Sequence, residues 1–117
     1  MSTNWNVAFL NFKKFQKVSR IYPSATQQAI VESVIQNLED IGPGVSAGDS
    51  GRALGQGLYE FKLRLREEVL LRVFFTVRQG RAIVALSAFD KKRNDSKNWQ
   101  NQQIVRARKL IKSLDFL

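Results

Sequence analysis

The stretch that decides the fold is residues 57–78, which read GLYEFKLRLREEVLLRVFFTVR. Apolar and polar side chains alternate in both halves of this stretch, and a period of two predicts half-buried β-strands. Two glutamates interrupt the alternation, so we expect strands over 57–66 and 69–78 that are joined by a tight turn. A third strand-like run follows over 81–90, and the three strands are predicted to form an antiparallel meander.

Apolar patterns on both sides of the meander supply the remaining elements. Residues 5–10 predict a short first strand, and apolar stripes at helical spacing predict helices over 12–21 and 24–41. Six of the seven glycines lie within 42–57, which predicts a long solvent-facing loop. After a polar, turn-like stretch, an apolar stripe over 104–114 marks a closing amphipathic helix. The order is therefore β-α-α-β-β-β-α, a small α+β fold with the helices packed on one face of an antiparallel sheet.

Length and composition predict one globular domain over residues 1–117 that lacks the commonest metal ligands. A chain of 117 residues is shorter than an average domain, and 44% hydrophobic with 25% charged residues is typical of globular proteins. The sequence has no cysteine and no histidine, which excludes thiol nucleophiles, zinc knuckles and the usual general base near neutral pH. The apolar runs are far shorter than the ~20 residues that cross a bilayer, and the N-terminus lacks a signal pattern. We therefore expect a cytoplasmic protein without a membrane partner.

The net positive charge of the chain comes from its second half. Residues 1–50 contain four bases and four acids, so residues 51–117 account for the whole formal charge of +9. Such asymmetry predicts a surface that binds a polyanion, and nucleic acid is the commonest polyanion. The alternative is a basic domain whose charge serves only to keep it in solution.

One face of the two strands predicted over 57–66 and 69–78 carries much of this charge, because side chains alternate between the two faces of a strand. The opposite, apolar face is expected to pack under the helices. Like charges opposite one another destabilise a sheet, so a face rich in arginine favours a phosphate ligand. Phe74 on this face is expected to be exposed and to stack on a base. The alternative is a solvated face in which arginine stems cover apolar sheet. The bases on this face are Lys62, Arg64, Arg66, Arg72 and Arg78. Lys91, Lys92 and Arg93 are expected to form a phosphate clamp at the end of the third strand, and the alternative for these three is an ordinary charged turn.

Four fragments in order along the chain resemble HigB-like, phage-derived toxins. Residues 54–64, LGQGLYEFKLR, resemble the L-x-x-G-L-Y-E-L-R segment of these toxins, and residues 71–75, LRVFF, resemble their Y-R-V-F-Y strand. Residues 83–92 resemble I-V-L-L-x-x-F-x-K-K, and the closing helix is similar to E-I-x-x-A-x-x-R. The resemblance follows the predicted order of elements and is specific over 54–92.

HigB-like toxins belong to the RelE/ParE superfamily of toxin–antitoxin proteins, and the resemblance implies a RelE-like fold and an mRNA endonuclease, commonly acting on translating ribosomes. That reaction needs no metal, because the 2′-hydroxyl attacks its own phosphodiester and leaves a cyclic phosphate end. The implied partner is a cognate antitoxin, often a helix-turn-helix repressor of the shared operon. The fold alone leaves two other functions open. One is a ParE-like inhibitor of DNA gyrase that cleaves nothing, and the other is a phage or mobile-element accessory protein that binds nucleic acid structurally.

The resemblance also implies the residues of the active site, whose bases would bind the scissile phosphate and stabilise the charge of the transition state. Glu60, the one acid on the basic face, is a candidate general base, and the alternative is an ion pair with Arg72 or Arg64. A lysine whose pKa is lowered by neighbouring cations is a third candidate for taking the proton, and the lysines considered are Lys91 and Lys92. Many relatives use a tyrosine or histidine for proton transfer, whereas here Tyr22 and Tyr59 lie elsewhere, Tyr59 on the predicted core face. The candidate catalytic residues are Glu60, Arg64, Arg72, Lys91 and Lys92, and the candidate RNA-binding residues are Lys62, Arg66, Phe74, Arg78 and Arg93.

Overall fold

A computed structural model of the chain describes residues 5–41, 51–79, 82–92 and 96–114. Within these residues the chain forms three α-helices, one short 3₁₀ helix and five strands that join in one mixed sheet, an α+β architecture. In chain order the elements are β1 (Asn6–Phe9), α1 (Phe12–Gln16), the 3₁₀ helix (Lys17–Ser19), α2 (Ser24–Ile41), β2 (Gly51–Gly55), β3 (Leu58–Leu65), β4 (Val69–Arg78), β5 (Ala82–Asp90) and α3 (Lys97–Leu114). The strands lie in the order β1-β5-β4-β3-β2 across the sheet.

The predicted meander is confirmed as the centre of the sheet. β3 pairs antiparallel with β4 along its whole length, and β5 pairs antiparallel with the other side of β4. The two glutamates lie in the turn between β3 and β4, where the interrupted alternation predicts them. The second predicted turn falls partly on Gly80 and Arg81, which lie outside the described residues.

The two edge strands correct the predicted topology. β1 runs parallel to β5, so the sheet is mixed rather than antiparallel. β2 pairs with β3 inside the predicted loop 42–57, of which residues 42–50 lie outside the described part of the chain. Gly55 and Gly57, which contributed to the loop prediction, form the turn between these strands with φ of +89° and +81°, a conformation that glycine adopts without strain. Most side chains of β2 are exposed or half-exposed, and such an edge strand shows no apolar alternation by which to recognise it.

The described helices lie on both faces of the sheet, so the prediction that they pack on one face is wrong. α1 and α2 cover one face, in a buried cluster that includes Val73 and Phe75. α3 covers the opposite face, where Ala107 packs in a second buried cluster with Phe74 and Phe89. The reason is that the face with the predicted bases is apolar over half of its length, and leaving that half in water would be unfavourable.

α3 begins earlier than the apolar stripe predicts, and it is tied to the sheet by an arginine. Ser96 Oγ accepts a hydrogen bond from the Trp99 N–H at 3.3 Å, which caps the helix start in the stretch expected to be a turn. Arg108 donates from Nη2 to Leu54 O at 2.8 Å and from Nη1 to Gly55 O at 3.1 Å, so the helix is fixed to the β2–β3 turn. None of the helices in the described ranges is both long and apolar enough to cross a membrane.

Candidate active site

A buried carboxylate lies in the charged half of the sheet face that α3 partly covers. Glu60, on β3, is 2% exposed, and its Oε1 accepts hydrogen bonds from Arg52 Nε and Arg72 Nη1, each at 2.6 Å. The strand register produces both contacts, because Arg52 lies opposite Glu60 on β2 and Arg72 lies diagonally across from it on β4. Three neighbouring strands thus contribute one side chain each to what we term the Glu60 cluster, Arg52, Glu60 and Arg72.

The Glu60 cluster has the capacity to bind an anion. Burying a carboxylate is unfavourable unless cations compensate for the lost water, and here two guanidinium groups share one carboxylate. The Arg72 side chain is 14% exposed, and its Nε is enclosed without an acceptor among the described residues. An oxyanion bound beside the two arginines would supply the missing negative charge.

Two lysines border the Glu60 cluster. Lys62, on β3, lies opposite Arg72, and the N–H of Lys91, directly after β5, donates to Leu70 O at 2.9 Å. Burial lowers the pKa of Lys91, and the positive charges of Arg72 and Lys62 lower that pKa further. A lysine whose neutral form is favoured in this way can exchange protons closer to neutral pH than an ordinary lysine.

A cavity of about 210 Å³ lies between the Glu60 cluster and the first turns of α3. Three polar residues from α3 line it at the i, i+3, i+4 spacing that places side chains on one side of a helix. Sequence reasoning missed these three residues and Arg52, because they lie in stretches without an apolar pattern; the helical spacing of the three polar residues is the signal that could have found them. The lining residues are Arg52, Glu60, Arg72, Phe74, Phe89, Lys97, Gln100, Asn101 and Ile104.

Several predicted site residues come together in this region, and others do not. Glu60, Lys62, Arg72 and Lys91 interact at one end of the meander. By contrast, Arg64 and Arg66 are exposed at the end of β3 and in the turn that follows. These two arginines therefore lie outside the cavity, at the rim of the basic surface.

Three further predicted residues lie away from the Glu60 cluster or outside the described chain. Lys92 Nζ donates to Glu67 O in the β3–β4 turn. Arg78 lies six residues further along β4 than Arg72, about 20 Å away at strand spacing, and its Nη2 donates to Ile111 O at 3.4 Å. Arg93 lies outside the described residues. The basic face is thus not one continuous surface.

The aromatic residues on the central strands are part of the packing. Phe74 is 1% exposed, with its ring centre 5.8 Å from that of Phe89, so the prediction of an exposed stacking ring is wrong because α3 covers this face. Tyr59 stacks on Phe75 at 5.4 Å on the core face, as predicted. Tyr22 Oη donates to Asp90 Oδ2 at 2.8 Å. Neither tyrosine is among the residues that line the cavity beside Glu60.

A comparison with protein-family models shows which proteins the chain is related to. The model described as "Phage derived protein Gp49-like (DUF891)" matches residues 20–112, most of the chain. The chain belongs to this Gp49-like family. Gp49-like proteins are a RelE-like toxin family, related to RelE-type toxins that are endoribonucleases, and membership suggests a toxin that has an antitoxin partner. The match includes the Glu60 cluster and both lysines of this Gp49-like chain, and a comparison with curated proteins gives no match.

Proposed function

We propose that this Gp49-like chain is a HigB-like toxin of RelE-like topology, one domain over residues 1–117 that cleaves mRNA on translating ribosomes. A cognate helix-turn-helix antitoxin neutralises it, and the reaction uses no metal or cofactor. The observation that carries the proposal is the Glu60 cluster, in which two guanidinium groups are held on one buried carboxylate beside a lysine of lowered pKa and a cavity. Membership in a family related to endoribonuclease toxins supports it.

Arg52 and Arg72 bind the scissile phosphate in this proposal. A guanidinium group matches two phosphate oxygens with two parallel N–H donors, and each arginine has N–H donors beyond the one that contacts Glu60. Because Glu60 fixes both arginines, they need little rearrangement to meet the charge that builds up on the phosphate oxygens in the transition state. Preorganised charge of this kind contributes more in a partly dehydrated site than in water.

The reaction is an internal transesterification of the RNA backbone. The 2′-hydroxyl loses its proton and its oxygen bonds to the adjacent phosphorus, while the bond from phosphorus to the 5′-oxygen breaks. The leaving 5′-oxygen takes up a proton, so the products are a 2′,3′-cyclic phosphate and a 5′-hydroxyl end. We assign both proton transfers to Lys91, because partial burial and the charges of Arg72 and Lys62 lower its pKa and so favour the neutral amine as a base, and the resulting ammonium can return the proton.

Glu60 positions the arginines in this scheme and does not act as the general base. Its side chain is 2% exposed, which keeps it from a substrate hydroxyl, and its Oε1 already accepts hydrogen bonds from both arginines. Of the alternatives that the sequence left open, the ion pair is the one present in the fold. Arg72 is one partner, as expected, and Arg52 takes the place considered for Arg64.

Controlled expression in a bacterial host, followed by mapping of RNA 5′ ends, tests this function. We expect growth arrest with new 5′-hydroxyl ends inside translated regions, and we expect Lys91→Met to remove both. Lys109→Met is the matched control, because Lys109 is exposed on α3 and, unlike Lys91, does not lie among the charges of the Glu60 cluster. Growth arrest with intact transcripts would contradict the nuclease, and gyrase-dependent DNA breaks in the same cells would support the ParE-like alternative.

A further inference from the structure

Half of the outer edge of β5 has no strand partner among the described residues. β1 pairs only with residues 82–85 of β5. The Leu10 N–H donates to Ala85 O at 3.0 Å, and the chain then leaves the sheet to begin α1. Residues 87–90 therefore pair with β4 on one side, with Leu86 at a shift in the register, while the other side of 86–90 is not covered by a described strand.

The register shows which backbone groups face this open edge. The Lys91 N–H donates to Leu70 O at 2.9 Å, so hydrogen-bonded pairs alternate from that position along β4 and β5. Phe89 opposite Arg72 is such a pair, and Ala88 opposite Val73 is not. The N–H and C=O groups of Ala88 consequently point away from β4, towards the open edge.

Two cavities of about 350 Å³ each follow this edge and share Lys14 and Ala88 among their lining residues. One also touches Phe15 and Leu110, and the other also touches Val18 and Trp99, so each is lined from both faces of the sheet. Such a lining occurs where a sheet ends between two covering layers. We term this channel, which runs along residues 86–90 between the 12–21 segment and α3, the edge groove.

The edge groove combines positive charge, apolar surface and the outward-facing backbone groups of Ala88, which no described strand pairs. Residues 5–23 contain four bases and no acid, and two of these bases, Lys14 and Lys17, line the groove. Ile21, also in the lining, is 49% exposed, a large apolar side chain that remains half in water. Asp90 is the one acid among the lining residues, and its carboxylate accepts hydrogen bonds from Tyr22 Oη and the Lys92 N–H.

We propose that the edge groove binds an extended, acidic segment of the antitoxin, which adds a strand to β5 alongside Ala88. An added strand supplies the backbone donors and acceptors that an open edge lacks, and acidic side chains complement Lys14 and Lys17. RNA has no such alternating backbone amides, and a second copy of this chain, with a net charge of +9, would be repelled. This inference deepens the proposed function, because the occupant is the neutralising partner. The inference also places the antitoxin segment at a site on the chain other than the cavity beside Glu60.

The test is a titration of the full-length, ¹⁵N-labelled chain with a capped octapeptide of alternating valine and glutamate. We expect saturable shifts of the backbone amide of Ala88 and its neighbours, with a Kd below about 1 mM. A peptide with N-methyl groups on alternate residues keeps the charge but lacks the donors of one edge, and it should not bind. The double substitution Lys14→Glu, Lys17→Glu should weaken binding about tenfold, whereas the matched pair Arg106→Glu, Lys109→Glu on the exposed side of α3 should leave it unchanged.

Any of four results would overturn the proposal. The first is that the Ala88 amide shows no saturable shift, and the second is that the N-methylated peptide binds equally well. The third is that the shifted amides centre on Arg72, which would show that the peptide binds the active site through its negative charge alone. The fourth is that single-stranded RNA binds at Lys14 and Lys17 more tightly than the peptide does, which would assign the groove to nucleic acid instead. Ala88→Pro removes an outward-facing N–H without removing a hydrogen bond to β4, and it should abolish peptide binding in a folded chain. None of these measurements depends on RNA cleavage. Their interpretation would therefore be unchanged if the chain were found not to cleave RNA.

Discussion

The face of the sheet under α2 and the face under α3 differ in how far their apolar side chains extend. Under α2 the central strands are apolar along their length, and Phe61, Val73 and Phe75 are all buried. Under α3 the apolar part ends midway, and the rows that continue from Phe74 carry Glu60 and Arg72. A helix that covers only part of a face creates a boundary where charged groups are held rigidly and partly dehydrated. Such a boundary is where anions bind well and where pKa values shift, whereas a fully covered face only stabilises the fold.

Truncation of the two adjacent phenylalanines of β4 is expected to give the largest effects and to separate the two faces. Phe75→Ala and Phe74→Ala each remove a ring that is at most 1% exposed, so each should lower the free energy of unfolding by about 3–5 kcal/mol. Only Phe74 lines the cavity, so only its truncation should also reduce cleavage per folded molecule. Urea unfolding and cleavage assays corrected for the folded fraction measure both quantities. An equal loss of specific activity in the two variants would remove the functional distinction between the faces.

Glu60→Gln tests whether the Glu60 cluster depends on the negative charge of its carboxylate for stability and for RNA binding. The substitution keeps the shape of the side chain but leaves Arg52 and Arg72 without a compensating charge, and it should lower the free energy of unfolding by about 2–3 kcal/mol. If Glu60 positions the arginines, KM for RNA should rise along with the loss of stability. Glu67→Gln in the exposed β3–β4 turn is the control, with an expected change below about 0.5 kcal/mol. Unchanged stability and KM in Glu60→Gln would refute the positioning role.

Arg108→Ala tests how α3 is held over its half of the sheet. The substitution removes the hydrogen bonds to Leu54 O and Gly55 O, which should lower the free energy of unfolding by about 1–2 kcal/mol. Because Arg108 does not line the cavity, specific activity should be kept. Hydrogen exchange should be faster in the β2–β3 turn of the variant than in that of the Lys109→Ala control. Equal exchange in both would show that this tie has no energetic role.

The smallest expected effect is a dependence of stability on pH that comes from Lys91. Burial lowers its pKa in the folded chain below the ordinary value of 10.5, so between the two values the unfolded chain holds more protons. Stability therefore rises with pH across this window, and the unfavourable contribution of the charged lysine is fully present below it. Urea midpoints of the wild-type chain and of Lys91→Met should converge as the pH rises towards 10.5. A difference that stays constant with pH would show that Lys91 has no shifted pKa.

Alternation along a strand was enough to predict the central meander and the Tyr59 face, because both depend only on which residues share a face. Alternation could not show that α3 would cover Phe74, since the pattern identifies faces but not the element that lies over them. The strand β2 was missed because its pairing with β3, and not its own side chains, stabilises it. Arg52 was missed for the same reason.

The candidate site was predicted in part because four of its residues lie on or beside the meander. Glu60, Lys62 and Arg72 share a face by alternation, and Lys91 follows the next strand. The separation of Arg72 from Arg78 was also within reach of the sequence, because six residues of a strand span about 20 Å. The contribution of α3 to the cavity depends on the start of that helix, which polar residues concealed.

The most direct test is the rate at which the folded Lys91→Met chain cleaves mRNA on translating ribosomes, measured beside the wild-type chain. If the Glu60 cluster is the cleavage site, the wild-type chain should give products with 2′,3′-cyclic phosphate and 5′-hydroxyl ends. Lys91→Met should cleave at least about 100-fold more slowly without a loss of stability, since proton transfer by a positioned side chain contributes on that order. Cleavage by folded Lys91→Met at the wild-type rate would contradict the assignment.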